Sequence, residues 1–169
     1  MLSDLASHWG ALVVASLAAL VVAIAGGLMT EIGAWYHSLR FPRWKPPNWA
    51  FGPIWTMIFV LSALSATLAW AGADASQRVW LVALFLANAL FNMLWNVLFF
   101  KWRRPDWALI ETGFLWASIL ALILFIRPIS QPAALLLAPY LIWVTIAWAL
   151  NLAIVRRNAP FAGVPARSL

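Results

Sequence analysis

Long apolar runs separated by short polar segments dominate the sequence. Five of these runs are each close to the roughly 20 residues that a helix needs to cross the hydrocarbon of a membrane. None alternates polar and apolar residues as a barrel strand would, so the pattern predicts helices. Four runs carry no charge, and one contains only Glu111. The runs cover residues 9–29, 49–70, 79–100, 107–126 and 133–155.

The five runs predict one all-α membrane domain, a bundle of five transmembrane helices over residues 1–155. A tail without periodicity follows at 156–169, and we expect it to be disordered and cytoplasmic. The first loop, 30–48, is 19 residues long, long enough to fold back over the end of the bundle. Its segment Glu31–Leu39 has apolar positions at helical spacing and predicts a short interfacial helix, either a lid over a pocket or a simple anchor.

Composition agrees with a membrane protein. The chain is 65% hydrophobic and 9% charged, against roughly 45–50% and about 25% in soluble domains. It has no cysteine, which excludes disulfides and thiolate metal sites. Ala-Ile-Ala at 23–25 resembles a signal-peptide cleavage site, but the segment before it has Asp4 and no basic residue, so we expect a retained helix.

Basic residues are distributed unequally between the two sides of the predicted bundle. Nine of the eleven Lys and Arg side chains fall on the side of the first loop, and only Arg78 and Arg127 fall on the other. By the positive-inside rule this asymmetry places the C-terminus in the cytoplasm and the N-terminus outside. The net charge of +6 therefore indicates orientation and contact with anionic headgroups rather than nucleic-acid binding. The nine are Arg40, Arg43, Lys45, Lys101, Arg103, Arg104, Arg156, Arg157 and Arg167.

Tryptophan and proline are concentrated in WKPPNWAFGPIW, residues 44–55. Pro46 and Pro47 suit the start of a helix, where a missing N–H costs nothing. Pro53 falls inside the second predicted helix and frees a backbone carbonyl. Gly52 beside it is expected to let another backbone approach closely.

The helix that follows these prolines carries an aromatic face. Phe51, Trp55 and Phe59 recur every four residues and so lie on one side. A lipid-facing belt is typical of tryptophans near the ends of a span, but Trp55 lies about a turn and a half inside, which favours a pocket. Belt positions are predicted for Trp9, Trp70, Trp80, Trp102, Trp107 and Trp148.

Amide side chains form a stripe on the third predicted helix. Asn88, Asn92 and Asn96 are four residues apart, and an unsatisfied amide facing lipid costs several kcal/mol. The stripe should therefore face the bundle or a cavity. Its members either join helices by hydrogen bonds or contact a ligand.

A mixed aromatic and polar face is predicted on the fifth helix. Tyr140, Trp143, Ala147 and Asn151 recur at spacings of three, four and four residues. They combine an aromatic wall, a small residue that leaves room, and an amide, although an ordinary packing stripe has the same spacing. Pro139 is expected to kink this wall.

Two ionisable residues are candidates for chemistry. Glu111 is either part of a proton relay or a side chain that extends to Arg103 and Arg104, and we expect the second. His37 is either a haem ligand or an interfacial residue, and we expect an interfacial residue.

Four segments together resemble the TspO/MBR family, the tryptophan-rich sensory proteins. They follow in family order over residues 35–151. The resemblance implies a five-helix bundle, usually a homodimer, with a pocket beneath the first loop that takes porphyrins and haem. The segments are Trp35-Tyr36, Trp44-x-Pro46-Pro47-x-Trp49-x-Phe51-x-x-x-Trp55, Asn92-x-x-Trp95-x-x-x-Phe99-Phe100 and Pro139-Tyr140-Leu141-Ile142-Trp143 with Asn151.

The resemblance also implies a function and a site. No cofactor or metal is required, and porphyrin or haem is the expected ligand, with sterol or lipid as an alternative. We expect a membrane receptor or regulator. The alternatives are a light-dependent porphyrin-degrading enzyme with Trp55 and Trp143 as catalytic residues, and a passive carrier of tetrapyrrole or sterol. The expected ligand-binding residues are Trp35, Tyr36, Trp44, Pro47, Trp49, Phe51, Trp55, Asn92, Trp95, Tyr140, Trp143 and Ala147.

Small residues at spacings of four predict a face for the homodimer, because they allow helices to approach closely in lipid. Ala83 and Ala87 form such a face on the third helix. Ala19, Ala23 and Gly27 form another on the first. The family resemblance favours the third helix.

Overall fold

The computed structural model describes residues 9–161, and this part of the chain contains helices and no strand. Five of its helical segments are long and apolar enough to cross a membrane, which confirms the predicted fold class. The helices are α1 (Trp9–Met29), α2 (Ala34–Ser38), α3 (Asn48–Gly72), α4 (Ala75–Asn96), α5 (Pro105–Ile126), α6 (Gln131–Leu135) and α7 (Ala138–Asn158).

The spanning helices form a closed ring around a central space. α1 packs against α3 and α4, α4 packs against α5, and α5 packs against α7. The short helix α6 contacts both α3 and α5. Three apolar clusters hold the ring together, and none of them draws a residue from α1, which has no buried side chain.

The helix α4 is longer than its apolar run. It begins at Ala75 rather than at 79 because Asp74 and Gln77 form a capping box. The Asp74 carboxylate accepts from the Gln77 N–H at 2.8 Å, and the Gln77 side chain accepts from the Asp74 N–H at 2.9 Å. Because the first turn of the helix is polar, the apolar run in the sequence begins later than the helix does.

A π-helical segment, Val97–Lys101, continues α4 to the end of its span. Three consecutive residues of this segment, Leu98, Phe99 and Phe100, are all buried. A π turn advances by a smaller angle per residue than an α turn, so neighbouring side chains point in more similar directions. The first loop packs over these side chains and completes their burial.

The fifth span is interrupted near its start. We predicted a continuous run from 133 to 155 with a kink at Pro139, but the span begins at Gln131 and breaks between α6 and α7. Pro139 cannot donate a backbone hydrogen bond to the preceding turn. From α3, the Ser65 hydroxyl donates to the Ala133 carbonyl at 2.8 Å and satisfies that group.

The end of α7 differs from its prediction. The helix runs through Asn158, three residues beyond the predicted boundary at 155, so part of the predicted tail is helical. Residues 162–169 of that tail lie outside the described residues.

The first loop lies over one end of the bundle. The predicted interfacial helix is present but shorter, as α2, and Tyr36 on it is buried against Phe100. A turn at residues 42–45 is closed by a hydrogen bond from the Lys45 N–H to the Pro42 carbonyl, 3.1 Å. Pro47 lies immediately before the first residue of α3, in extended backbone rather than in the helix itself, and its missing N–H leaves no unpaired donor there.

Candidate functional site

A cavity of about 470 Å³ lies between the helices beneath the first loop. Every spanning helix contributes to its wall, and Ile32, Tyr36 and Phe41 of the loop line the end nearest the loop. This volume falls within the roughly 300–1,000 Å³ of typical small-molecule sites. Its lining is mainly apolar and aromatic, with amide and hydroxyl groups from α3, α4, α5 and α7 and from Thr30 just after α1.

The α3 wall of this cavity is aromatic. Phe51, Trp55 and Phe59 all line it, which confirms that they share one face. Trp55 and Phe59 stack with ring centroids 5.6 Å apart, so each ring limits the movement of the other. Gly52 lies on the same wall, and here the expectation of a close backbone contact is wrong. A Cβ at Gly52 would meet nothing within 4 Å, because the residue faces the cavity rather than a neighbouring helix.

The α7 wall consists of Trp143 and the smaller residues that follow it. Trp143 is buried, and Phe51 of α3 meets its ring edge-on at a centroid distance of 5.5 Å. This contact joins α3 to α7 across one side of the cavity. Ala147, one turn further along, also lines the cavity and leaves room because its side chain is only a methyl group.

Asn151 fixes α7 against the first turn of α5. Its amide nitrogen donates to the Pro105 carbonyl at 3.1 Å, and its amide oxygen accepts from the Leu109 N–H at 3.0 Å. This is the amide orientation in which both ends meet a complementary group. The residue is almost fully buried, so these bonds anchor the wall to which Trp143 and Ala147 belong.

A hydrogen-bonded chain crosses the bundle behind the aromatic walls. The Asn92 amide donates to the Tyr140 hydroxyl at 3.1 Å, and that hydroxyl donates to the Asn88 amide oxygen at 3.3 Å. The Asn88 amide in turn donates to the Ser118 hydroxyl at 2.9 Å. Asn88 therefore joins helices, while Asn92 belongs to this chain and also lines the cavity.

Asn96 completes the amide stripe on the cavity side. Its amide nitrogen donates to the Asn92 carbonyl at 2.9 Å, and its amide oxygen lies 3.4 Å from the Thr30 hydroxyl at the end of α1. Gly26 of α1 approaches the same amide, since a Cβ there would lie 3.7 Å from the Asn96 nitrogen. Asn96 is thus both a cavity-lining group and the polar contact between α1 and α4.

Charged and hydroxyl groups lie at the loop end of the cavity. The Tyr36 hydroxyl donates to the Asn48 amide oxygen at 3.4 Å, and the Lys45 ammonium group donates to the same oxygen. Burial raises the pKa of the Tyr36 hydroxyl and lowers the pKa of the Lys45 ammonium group. Both shifts have the same cause, the removal of water from a group whose charged form needs it.

A second, smaller cavity of about 210 Å³ adjoins the first. Trp35, Tyr36, Phe100, Glu31 and Arg103 are among the residues that line it. Tyr36 and Phe100 line both cavities and form the partition between them.

Seven of the twelve expected ligand-binding residues line the large cavity, and five do not. Trp44 and Trp49 are exposed, and Pro47 shapes the helix start. Trp35 lines the smaller cavity, while Tyr140 stands behind the wall in the hydrogen-bonded chain. Their part in binding a ligand stays a prediction. The seven at the large cavity are Tyr36, Phe51, Trp55, Asn92, Trp95, Trp143 and Ala147.

The α1 wall was missed from the sequence. Ala23, Gly26, Gly27 and Thr30 line the cavity, but α1 carries no aromatic or amide pattern to mark a site. Its small residues were a visible signal that we interpreted as a candidate dimer face. Ala23 and Gly27 belong to that predicted face, and their position at the cavity favours the alternative face on α4.

Two expectations about charged or titratable side chains can be compared with the structure. Glu111 was expected to reach Arg103 and Arg104, and this is wrong: Arg104 pairs with Asp106 at 2.8 Å instead. Glu111 is buried, and neither of its oxygens has a hydrogen-bond partner among the described residues.

His37 is exposed and does not line the cavity, as expected for an interfacial residue.

The predicted belt tryptophans lie mostly at the outer surface. Trp9, Trp80, Trp102 and Trp107 are each more than half exposed. Such positions suit contact with headgroups and lipid. Trp148 is more covered because it packs against Trp116, with ring centroids 6.3 Å apart.

Comparison with known proteins supports the resemblance of the four motifs. A model of the TspO/MBR family matches residues 13–157. The chain belongs to the TspO/MBR family. Within this family it is 37% identical over 151 residues to the tryptophan-rich protein TspO of Archaeoglobus fulgidus, covering 88% of this chain and 97% of the relative.

Other members of the TspO/MBR family match over most of the same length. The tryptophan-rich protein TspO of Chlorobaculum tepidum is 36% identical over 143 residues, covering 82% of this chain and 90% of the relative. The translocator protein of Homo sapiens is 30% identical over 131 residues, covering 76% and 78%. Bacterial, archaeal and mammalian family members thus share the greater part of this membrane domain.

Proposed function

We propose that this TspO/MBR protein is a membrane receptor or regulator that binds porphyrins and related tetrapyrroles in the large cavity. The observation that carries the proposal is the set of aromatic walls around a space of about 470 Å³. Relatives in the same family are named sensory and translocator proteins. A flat macrocycle is the ligand class that flat, rigid walls of this kind suit best.

The walls are fixed before a ligand arrives. Trp55 is held by Phe59 on one side and by Tyr140 on the other, at centroid distances of 5.6 and 5.9 Å. Phe51 holds the Trp143 ring edge-on. Because these side chains lose little freedom on binding, more of the stacking energy is available as affinity.

The polar groups of the cavity suit orientation of the ligand. Asn92 and Asn96 present amides on one wall, and neither is charged. Neutral amides hydrogen-bond to ring nitrogens or polar substituents without the large cost of burying an unpaired charge. Binding by stacking and amide contacts needs no iron ligand, so metal-free porphyrins as well as haem fall within the proposed ligand class.

Light-dependent degradation of the bound porphyrin is a second candidate. Trp55 and Trp143 both line the cavity, where their indole rings would contact a bound macrocycle. An indole is more easily oxidised than a phenyl ring, so this reaction would depend on both tryptophans. Transport of the ligand by the same cavity is the third alternative.

The test is titration of purified full-length protein with protoporphyrin, monitored by tryptophan fluorescence in darkness and then by Soret absorbance under light. Binding without protein-dependent Soret loss supports the receptor, and protein-dependent loss supports the enzyme. No saturable binding in darkness refutes both. Flux of the porphyrin between vesicles that depends on the protein supports the carrier.

Single substitutions separate cavity tryptophans from surface tryptophans. Trp55→Phe and Trp143→Phe keep a stacking ring but remove the indole N–H, so affinity should fall by no more than about 1–2 kcal/mol. Any light-dependent loss should fall much further. Trp80→Phe and Trp107→Phe, at exposed positions, are the matched controls and should change neither property. Equal effects from all four would refute the assignment of Trp55 and Trp143 to the binding site.

A further inference from the structure

The smaller cavity is lined by two side chains of opposite charge. Glu31 belongs to the first loop and Arg103 to the turn that follows α4, and both line this space of about 210 Å³. They do not pair with each other, because the only ion pair among residues 9–161 joins Arg104 to Asp106. Two opposite charges that share a cavity without neutralising each other suit a ligand that carries both signs.

The backbone holds Arg103 in an unusual conformation. Its φ is 54°, in the left-handed region that costs energy for a residue with a Cβ. The residues on either side are fixed by backbone hydrogen bonds. The Trp102 N–H donates to the Val97 carbonyl at 2.8 Å, and the Arg104 N–H donates to the Leu98 carbonyl at 2.9 Å. A glycine would adopt this turn at no cost, so the strain points to a role for the arginine side chain.

Each charge of the smaller cavity lies beside a residue that shapes the lining. The Arg103 guanidinium carbon is 5.9 Å from the ring centroid of Trp35, and Phe99 holds that indole edge-on at 5.8 Å. The Glu31 carboxylate lies beside Gly33, since a Cβ there would be 3.5 Å from Glu31 Oε1. The cavity therefore has one cationic and one anionic region.

The surroundings of the smaller cavity place it at the level of lipid headgroups. Trp102, next to Arg103 in the chain, is 56% exposed, and it meets Trp107 edge-on at a centroid distance of 6.5 Å. Exposed tryptophans of this kind mark the membrane–water interface. Leu28, three residues before Glu31, is also exposed. Apolar surface that suits acyl chains therefore lies close in the chain to both charged residues.

The volume of the smaller cavity limits what it can hold. Typical sites for whole small-molecule ligands measure roughly 300–1,000 Å³, and this cavity is smaller, at about 210 Å³. A compact polar group that belongs to a larger molecule fits such a space. A phospholipid headgroup has this size, and its acyl chains would remain outside in the membrane.

We propose that the smaller cavity binds a phosphate ester that carries an amine, the phosphoethanolamine headgroup of a membrane phospholipid. The Arg103 guanidinium donates to the phosphate oxygens, whose geometry its forked N–H groups match. The Glu31 carboxylate accepts from the ammonium group, and both contacts are charge-assisted hydrogen bonds. This site is separate from the large cavity, so the inference does not depend on porphyrin binding.

The experiment is native mass spectrometry of the full-length protein in detergent, titrated with phosphatidylethanolamine or phosphatidylglycerol of identical acyl chains. One molecule of phosphatidylethanolamine should bind saturably to the wild-type protein. Glu31→Gln removes the partner of the ammonium group, so it should weaken phosphatidylethanolamine binding by about tenfold. Phosphatidylglycerol has no amine, and Glu31→Gln should not weaken its binding. An equal loss for both lipids, or no loss for either, would overturn the proposal.

Arg103→Gly separates lipid binding from stability. Glycine adopts a positive φ without strain, so the temperature of unfolding should stay the same or rise. The phosphate loses its charged donor, so phosphatidylethanolamine should bind about tenfold more weakly. Retained lipid affinity together with a lower unfolding temperature would show that Arg103 is structural and would overturn the proposal.

Matched controls separate this site from a general effect of positive charge. Lys101→Gln and Arg43→Gln each remove a basic residue from the same side of the molecule, and neither residue lines either cavity. Both should leave the affinity for phosphatidylethanolamine within about twofold of the wild-type value, well short of the loss of one charge-assisted hydrogen bond. A tenfold loss in these controls would assign lipid binding to surface charge and overturn the proposal.

Competition with free phosphoethanolamine identifies the source of the bound group. The soluble compound lacks acyl chains, so it should displace phosphatidylethanolamine only at concentrations far above that of the lipid. If it binds as tightly as the lipid does, the ligand is a soluble phosphate ester and the lipid assignment is overturned. If neither compound binds the wild-type protein, the whole proposal is refuted, whatever the outcome for porphyrins in the large cavity.

Discussion

Asn158, at the last turn of α7, holds the backbone of Arg40 with both ends of its side-chain amide. Its oxygen accepts from the Arg40 N–H at 2.8 Å, and its nitrogen donates to the Arg40 carbonyl at 3.1 Å. The first loop is thereby fixed to the end of α7.

Loss of this fastening should speed the release of ligand. Asn158→Ala removes two hydrogen bonds worth about 1 kcal/mol each, so we expect the porphyrin dissociation rate to rise by about tenfold or more. Asn158→Asp keeps the acceptor for the Arg40 N–H and loses the donor to its carbonyl, and its effect should be intermediate. Stopped-flow fluorescence measures both rates. An unchanged rate in Asn158→Ala would show that the loop does not limit escape.

Filling the space beside Gly52 should block the cavity without damaging the fold. A leucine there finds open space, and it replaces the poorest helix former apart from proline, a gain of up to about 1 kcal/mol. We expect Gly52→Leu to abolish porphyrin binding and to unfold at the same or a higher temperature. Gly10→Leu is the control, because Gly10 also has open space but does not line the cavity. Retained binding in Gly52→Leu would place the ligand elsewhere.

Removing the Tyr140 hydroxyl should lower the stability of the protein even though the ring is kept. Tyr140→Phe leaves the Asn92 and Asn88 amides without a shared partner, at a cost of about 1–3 kcal/mol for unsatisfied buried groups. The midpoint of thermal unfolding in detergent should fall measurably. Thr56→Val, which removes an exposed hydroxyl that bonds only within its own helix, should have a smaller effect. A larger effect from Thr56→Val would contradict the importance of the buried chain.

A homodimer through α4 is predicted by its outward small residues. Ala83 is exposed and Ala87 is partly exposed, so both are available to a second copy. Ala83→Leu combined with Ala87→Leu should prevent close helix approach and convert the dimer to monomer in detergent and in bilayers. Cross-linking and mass photometry measure the outcome, and an intact dimer would exclude this face.

The C-terminus should lie in the cytoplasm. Nine basic residues on the side of the first loop against two on the other predict this orientation. A reporter fused after Leu169 should be active only in the cytoplasmic form. Activity of a periplasmic reporter at that position would reverse the assignment.

The fold was largely predictable because the membrane demands long apolar helices whatever the details of packing. The five runs were found from hydropathy alone. Their ends were harder to place, since the capping box at Asp74 and the basic last turn of α7 are polar yet helical. The break before α7 was predicted as a kink. A proline such as Pro139 removes a backbone hydrogen bond both where a helix bends and where it is interrupted, so the sequence does not distinguish the two.

The site was predictable on three of the five spanning helices and not on α1 or α5, where Thr112 and Leu115 also line the cavity. Aromatic and amide residues at helical spacing marked the walls of α3, α4 and α7. An amide inside a span must face the bundle or a cavity, because an unsatisfied amide facing lipid is costly. Gly26 and Gly27 of α1 line the cavity without a side chain. In a sequence, a small residue that borders a cavity looks the same as a small residue at a contact between two helices. The direction in which Gly52 faces also depends on the packing of whole helices.

The helix α1 encloses the cavity and yet belongs to none of the apolar clusters that hold the bundle together. The other walls are lined largely by members of those clusters, Trp143 and Phe100 among them, so α1 alone encloses a guest without a buried side chain of its own. It still packs against α3 and must stay apolar to cross the membrane. Apolar substitutions at its cavity-lining residues should therefore alter how long a guest stays more readily than how much heat the protein tolerates.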